Sequence, residues 1–366
     1  MQTGLFIQPS HPPERAPIDT YGWDLQVLRW GDELGFEEAW LGEHFTAPWE
    51  PVPAPDLIIA QALTQTSRIK LAPGAHLLPF HHPSTLAHRV MQLDHMAQGR
   101  LMLGVGAGSV PTDFALFGID PASGVQREMM AEAFQIMIKI WTEDGPWEFA
   151  GKFWDVNMPE PFLGFRPHLK PFQDPHPPIG IAGLSERSPS LKVAGARGFI
   201  PLSLTFNPMY LASHWDAVEE GAAEAGRRPS RNEWRIVRDV FVAETDEEAI
   251  ELAVEGNQGR MWREENLRVA GEFGWLKYLK HDPSVADADV TPDYLARHLW
   301  LIGSPDTVAE KLRETYEVVG GFGTLLVNSY DYAEQPEPWQ RSMRLLQDEV
   351  LPQLGDLDPD RASASA

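Results

Sequence analysis

Five short apolar runs in the first half of the chain each stop at a cluster of Gly, His or Pro, and a helix-patterned stretch usually follows. That rhythm predicts an α/β fold, a (β/α)8 TIM barrel whose chemistry sits where the runs stop. The runs cover residues 4–7, 38–41, 69–72, 101–105 and 179–182. After them come Pro9-Ser10-His11, Glu43-His44, Gly74-Ala75-His76, Gly106-Ala107-Gly108 and Gly183-Leu184-Ser185, segments that belong together on one polar rim.

Runs at 199–204, 234–242 and 323–327 supply the remaining strands. Apolar residues at mixed three and four spacing mark helices at 19–34, 55–66, 84–97, 127–141, 191–196, 208–225, 247–255, 305–318 and 336–350. Ser304-Pro305 opens one of them well, because Ser can cap and Pro at the first helical position gives up only an orphan donor. Two stretches break the rhythm. Residues 144–177 carry a hairpin pattern from Trp147 to Trp154, turning at Ala150-Gly151, and then a Pro-rich loop. Residues 259–291 scatter Met261, Trp262, Phe273, Trp275 and Tyr278 among charges, a composition suited to a lid or an oligomer surface. The expected organisation is one domain over 1–355 with these two insertions, and a disordered tail at 356–366.

Composition narrows the function. An apolar fraction of 43% with 13 Trp and 17 Phe fills a large core. A net charge of −23 argues against nucleic acid, whose phosphates need clustered Lys and Arg. Without cysteine there is no disulfide, no thiolate metal site and no thiol nucleophile. No basic leader and no apolar run near the ~18 residues of a membrane span are visible, so a cytoplasmic location without membrane contact is expected.

The glycine cluster Gly104-Val105-Gly106-Ala107-Gly108 fails as a dinucleotide fingerprint, because its third glycine is misplaced and Ser109-Val110-Pro111 follows instead of a helix. It still permits close approach of a flat or phosphorylated ligand, or simply a tight barrel corner. In Gly183 to Ser190, the hydroxyls of Ser185, Ser188 and Ser190, the Arg187 guanidinium and free amides can converge on one anion at a helix start. An ordinary capped helix is the alternative. Glu43-His44 stands where barrel enzymes place catalytic side chains, and an imidazole there can exchange a proton near neutral pH, unless the couple is only structural. His76, His81 and His82 raise a metal site. A barrel metallohydrolase, however, wants His-x-His on its first strand, and this one ends Gln8-Pro9-Ser10-His11. Small residues at 74 and 75 suit a backbone packed against a flat ring.

Taken in order, Glu43-His44, the 75–83 stretch, Gln92-Leu93-Asp94-His95-Met96 with Gly99-Arg100, and the glycine cluster resemble the bacterial luciferase-like flavin-dependent monooxygenases over about residues 3–350. The wording of Ala75-His76-Leu77-Leu78-Pro79, Gly151-Lys152-Phe153-Trp154-Asp155, Ser188-Pro189-Ser190, Gly303-Ser304-Pro305-Asp306-Thr307-Val308 and Gly320-Gly321-Phe322-Gly323-Thr324-Leu325 is similar to the diketocamphane and limonene monooxygenase group. The resemblance implies a barrel, usually dimeric, that binds reduced FMN at its carboxyl face. It puts ring contacts on Ala75 and His76, phosphate and ribityl contacts on Gly106, Ala107, Gly108, Ser185, Arg187, Ser188 and Ser190, and a reactive-side histidine at His44, with Glu43 beside it. Two departures matter. Gly106 replaces the luciferases' thiol and Phe45 their second histidine, which argues against light emission and a long-chain aldehyde.

No nicotinamide fingerprint is present, so a separate reductase is expected to supply the reduced FMN. O2 would then oxygenate an apolar, cyclic or terpenoid substrate through a C4a-peroxyflavin, by ketone insertion or epoxidation. His44 would set the protonation state, and Phe6, Trp40 and the 259–291 insertion would wall the substrate. The competing readings are a deazaflavin (F420)-dependent dehydrogenase on the same barrel, a catalytically silent flavin-binding protein, and a metal-dependent hydrolase.

Overall fold

The computed structural model describes residues 1–204 and 207–359. The barrel strands lie side by side in the order the chain visits them. β1 (Gln2–Ser10) pairs with β2 (Glu38–Leu41), and β2 with β3 (Lys70–Pro73). A cis peptide between Gly74 and Ala75 interrupts the third strand, which resumes as β4 (His76–Leu77) and pairs with β5 (Leu103–Gly106). Below the break, a bridge from Leu71 to Leu101 ties the same two edges. A short antiparallel hairpin, β6 (Trp147–Ala150) and β7 (Asp155–Met158), stands apart, where the sequence predicts it. The barrel continues through β8 (Ile179–Gly183), β9 (Ile200–Ser203) and β10 (Arg235–Arg238). A small parallel pair, β11 (Val240–Val242) and β12 (Leu301–Gly303), lies outside it. The last strand, β13 (Thr324–Tyr330), joins β10 to β1 and completes the ring.

Around the barrel run α1 (Pro17–Leu34), α2 (Pro55–Ala62), α3 (Pro83–Ala97), α4 (Pro111–Leu116), α5 (Val125–Thr142), α6 (Pro189–Arg197), α7 (Pro208–Glu224), α8 (Asp246–Glu255), α9 (Asn257–Met261), α10 (Leu267–Glu272), α11 (Pro292–His298), α12 (Pro305–Val319) and α13 (Pro336–Leu345). Many of them begin on Pro, which is preset for the first helical position and sacrifices no hydrogen bond there. Ser304 caps α12 as expected, its Oγ accepting the Thr307 amide.

Inside the barrel, Phe6, Trp40, Ala72, Met102, Ile200, Leu202, Val237 and Leu326 form one apolar layer. Beneath them Glu38 and Arg235 pair at 3.0 Å, and the Trp40 indole donates to Glu38 at 2.9 Å. Gly180 is glycine because a Cβ there would come 2.6 Å from the Trp40 ring. A larger shell between strands and helices buries Trp141, Trp215, Trp234, Trp262, Trp300 and Trp339. At roughly 1.5–3 kcal/mol for each large buried apolar side chain, these layers supply the main drive for closure.

Two expectations are corrected. The apolar run 234–242 is two strands, split at Asp239: β10 stays in the barrel and β11 leaves to pair with β12. The final strand extends beyond 327 through Asn328-Ser329-Tyr330, all buried. The 259–291 insertion is largely helical, and it buries Met261 and Trp262. Of the expected disordered tail, Asp356 is held by Arg313 at 2.9 Å, and residues 360–366 lie outside the described residues.

Candidate active site

All five rim segments sit at the carboxyl ends of their strands, and two ionic clusters form where β2 meets its neighbours. Glu43 is fully buried. His76 donates Nδ1–H to Glu43 at 2.6 Å, His81 donates Nε2–H at 2.8 Å, and the Leu77 amide adds a longer contact at 3.3 Å. Burial alone would raise this carboxyl, but the two imidazole hydrogen bonds outweigh it and bring Glu43 down to about 2. The cluster thus fixes both rings, each with its second nitrogen left as an acceptor if neutral. Ligand atoms of Glu43, His76 and His81 lie within 4.8 Å of one another, close enough to suggest a cation. The 2.6 and 2.8 Å contacts are hydrogen-bond lengths. Tetrahedral ligands at zinc distances stand about 3.3 Å apart, so the donor set fits shared protons better.

His44 belongs to the second cluster. Its Nε2 is 2.7 Å from Glu50, and its Nδ1 is 3.9 Å from Asp113 Oδ2. Burial opposes a charge here, yet the Glu50 carboxylate, helped by Asp113 and Glu43, holds the imidazole above its ordinary value. With Nε2 engaged by Glu50, Nδ1 is the ring nitrogen left for a further partner. Both Nδ1 and Asp113 Oδ2 are buried without a hydrogen-bond partner. Asp113 is fixed from its other oxygen, which accepts the Thr46 hydroxyl at 2.5 Å. Beside this pair, Phe45, Phe80, Phe114 and Phe117 interlock, with Phe80 stacked on Phe117 at 4.6 Å and Phe45 edge-on to Phe117 at 4.9 Å.

Small residues line the next stretch of rim. Ala75, Gly106, Ala107 and Gly108 are all half-buried. A Cβ at Gly106 would lie 3.5 Å from the Ala75 Cβ and 3.2 Å from Leu77, so the two strand ends offer a low, flat shelf. Gly74 must be glycine, since a Cβ there would be 2.7 Å from Trp40. Gly108 has φ +85° and faces Phe114 and Phe80.

Between β8 and α6, Ser185 and Arg187 are exposed, Ser190 is half-buried and Ser188 is buried. Ser188 occupies the cap position of α6, but its side chain makes no capping hydrogen bond. Arg187 has φ +46°, and its guanidinium reaches Glu220 at 2.7 Å and Asp216 at 3.8 Å on α7 rather than the turn's mouth. Phe6 and Trp40, expected on a substrate wall, belong to the barrel's inner layer, and Trp40 has no exposed surface. Met261 and Trp262 of the insertion are likewise buried. Phe45 is half-buried and Phe117 exposed, so that group offers an aromatic face on the rim.

Sequence reasoning did not single out Glu50, Asp113 or a third cluster at β10 and β13. There, Asp239 Oδ1 accepts the Tyr330 hydroxyl at 2.5 Å and the Asn328 amide at 3.0 Å, while Trp262 donates to the Tyr330 oxygen at 2.9 Å. Burial pushes Asp239 up to about 6 against these hydrogen bonds and the Arg238 charge. Its Oδ2 and Asn328 Oδ1 are buried and unpaired. The readable signal was the polar Asn328-Ser329-Tyr330 that follows the last apolar run.

A parallel barrel carrying imidazoles, small residues and a serine-rich turn on its carboxyl rim has the layout of a barrel enzyme. Comparison identifies the class. Residues 1–321 match the model of the luciferase-like monooxygenases, and the chain belongs to that family of oxidoreductases. It is 35% identical to 3,6-diketocamphane 1,6-monooxygenase of Pseudomonas putida, over 97% of this chain and 98% of that one. It is 31% identical to limonene 1,2-monooxygenase of Rhodococcus erythropolis, over 97% and 87%. The solved oxygenating constituent of the Pseudomonas putida 3,6-diketocamphane monooxygenase, a type II Baeyer-Villiger enzyme in complex with FMN, superposes with a TM-score of 0.91 at 36% identity, covering 96% of this chain and 98% of that one. No helix among the described residues is long and apolar enough to cross a membrane.

Proposed function

We propose that this chain is the oxygenating half of a two-component system: it takes reduced FMN from a separate reductase and oxygenates an apolar cyclic or terpenoid substrate with O2. The working form is a cytoplasmic homodimer. One observation carries the reading: His44, bound through Nε2 to Glu50, keeps a buried Nδ1 without a hydrogen-bond partner on the same rim that carries the Ala75 and Gly106 shelf.

The residues present fit the cofactor. The shelf formed by Ala75 and Gly106 would fill if either carried more side chain, and it suits a flat ring. Gly106 to Gly108 and the turn with Ser185, Ser188 and Ser190 suit the ribityl chain and phosphate, with the α6 amino terminus aimed at the anion. Arg187 would act from the outside, through the turn's shape. Reduced FMN, when bound, supplies the electrons that activate O2. Glu43 stays ionised and positions His76 and His81 rather than moving a proton. His44 is the proton donor, through Nδ1, and Asp113 keeps that proton from escaping toward solvent. Phe45, Phe80, Phe114 and Phe117 exclude water and hold the apolar substrate.

The test is product analysis with a flavin reductase, FMN and labelled O2 against cyclic ketones and terpenes. One labelled oxygen in a lactone or an epoxide supports the proposal and tells insertion from epoxidation. Turnover with reduced deazaflavin and no O2 would replace it with hydride transfer.

A further inference from the structure

A polar patch interrupts the apolar inside of the barrel at β10 and β13. Side chains alternate along a strand, so a residue two positions beyond a barrel-facing one faces the barrel again. Val237 and Leu326 belong to the inner apolar layer and are partners in the β10–β13 register. Asn328 stands two residues beyond Leu326 and is the register partner of Phe6, another member of that layer. The 3.0 Å bond from Asn328 Nδ2 to Asp239 Oδ1 keeps Asp239 on the same inner side, two residues beyond Val237. Both are buried, at the carboxyl end where the barrel opens.

The bonds of this patch leave two atoms over. The Tyr330 hydroxyl donates to Asp239 Oδ1 and accepts from Trp262 and from Asn328 Nδ2, each at 2.9 Å. With its Nδ2 spent on two acceptors, Asn328 turns its oxygen the other way. That oxygen and Asp239 Oδ2 are both buried with no hydrogen-bond partner. A buried carboxylate oxygen without a donor costs stability, so the pair is better explained by a group that arrives than by packing. The place suits one. In the order β4-β5-β8-β9-β10-β13, the patch lies four strands round from β4 and β5, which carry the Ala75 and Gly106 shelf. Four strands is half the circuit of the ring, so a ligand lying on the shelf turns its far side toward Asp239 and Asn328.

The donor inventory selects the group. A hydroxyl can donate to Asp239 Oδ2 when the carboxyl is ionised; when it is protonated, the hydroxyl can accept from Oδ2–H and donate to Asn328 Oδ1. With Asp239 raised to about 6, both states lie near neutral pH. A ketone oxygen only accepts, so it leaves Asn328 unpaired and faces the carboxylate. We propose that Asp239 Oδ2 and Asn328 Oδ1 form a substrate subsite for a hydroxyl group, so that the preferred substrate is an apolar ring carrying an alcohol. This rests on the reading of the barrel mouth as the site of an apolar cyclic substrate. The subsite anchors the hydroxyl at β10 and β13 and directs the rest of the ring toward the shelf. Tyr330 and Trp262 act through Asp239: they occupy Oδ1 and leave Oδ2 for the ligand.

The experiment is calorimetric titration at pH 8 of the full chain, alone and loaded with oxidised FMN, with two alcohol and ketone pairs on one skeleton each: cyclohexanol with cyclohexanone, and borneol with camphor. The wild type should bind the alcohol of each pair about tenfold more tightly, the scale of one hydrogen bond to a charged group. In Asp239→Asn the amide oxygen stays toward Tyr330 and its N–H2 takes the place of Oδ2, so ketone affinity should rise and the preference fall to within about twofold. Asn328→Leu should weaken the alcohols with the ketones within about twofold; if it does not fold, Asp239→Asn decides. Equal affinities in the wild type, a preference that the variants keep, or parallel losses for alcohol and ketone would overturn the proposal. A wild type that binds none of the four would remove the cyclic-substrate reading, and the subsite with it. Alcohol preference in a chain that does not load FMN would keep the subsite and remove the flavin reading instead.

Discussion

Glu43, at the end of β2, and Asp239, at the end of β10, are both buried acids of the barrel mouth, yet one is driven down to about 2 and the other up to about 6. Burial pushes each upward, so the difference lies in the partners. Glu43 accepts from two imidazoles that can share its charge, whereas Asp239 accepts from a phenol and an amide that are neutral and leaves one oxygen unpaired. A carboxylate pinned well below working pH is a fixed anchor. A carboxyl poised near neutrality can occupy either state. The same barrel mouth thus holds a fixed charge at β2 and β4 and, at β10 and β13, a carboxyl whose state changes near neutral pH.

The largest expected effect tests the charged side. His44→Ala should keep FMN binding within about threefold and lower oxygenated product at least about 100-fold, the lower range for loss of a positioned proton donor. Equal product yield would remove His44 from the chemistry. Glu43→Gln should cost roughly 3 kcal/mol in urea unfolding at pH 7, because an amide cannot accept from both imidazoles. The sign of its pH dependence is set by the depressed value: the Glu43 contribution is fully present above 4.5 and lost as pH falls through about 2. The gap between wild type and variant should therefore close toward pH 3.

Asp239 predicts the opposite sign. Its folded value is raised from 3.8 to about 6, so ionising it costs stability as pH rises through that range. Asp239→Asn, which imitates the neutral form, should stabilise the chain by roughly 1–2 kcal/mol at pH 8 and not at pH 4. Unfolding curves that coincide at both pH values would erase the contrast between the two sides. The smallest effect is at Glu50. Glu50→Gln should lower the His44 titration midpoint read by NMR of the imidazole, while FMN binding stays unchanged; an unmoved midpoint would assign the raised value to Asp113 and Glu43.

The barrel was legible because parallel strands buried on both faces leave short apolar runs in the sequence. Polar interruptions hid the rest. Asp239 sits inside a run that stays apolar on both sides, so the exit of β11 left no mark. β13 read as ending at Val327, because Asn328-Ser329-Tyr330 pass for a loop unless their burial is known. At the site, Glu43, His44, Ala75, His76 and Gly106 were readable from their position at strand ends. Glu50 and Asp113 lie off the strands and meet His44 only through folding. Trp40 looked like a wall because it stands three residues before Glu43, while its strand face points into the barrel floor.

The central claim, that this barrel binds reduced FMN and controls its reaction with O2, is tested most directly by mixing the anaerobic complex with oxygen and following the flavin spectrum. The account predicts a species distinct from reduced and oxidised FMN that outlives its counterpart in free solution. Reoxidation at the rate of free FMN, with no such species, would contradict it.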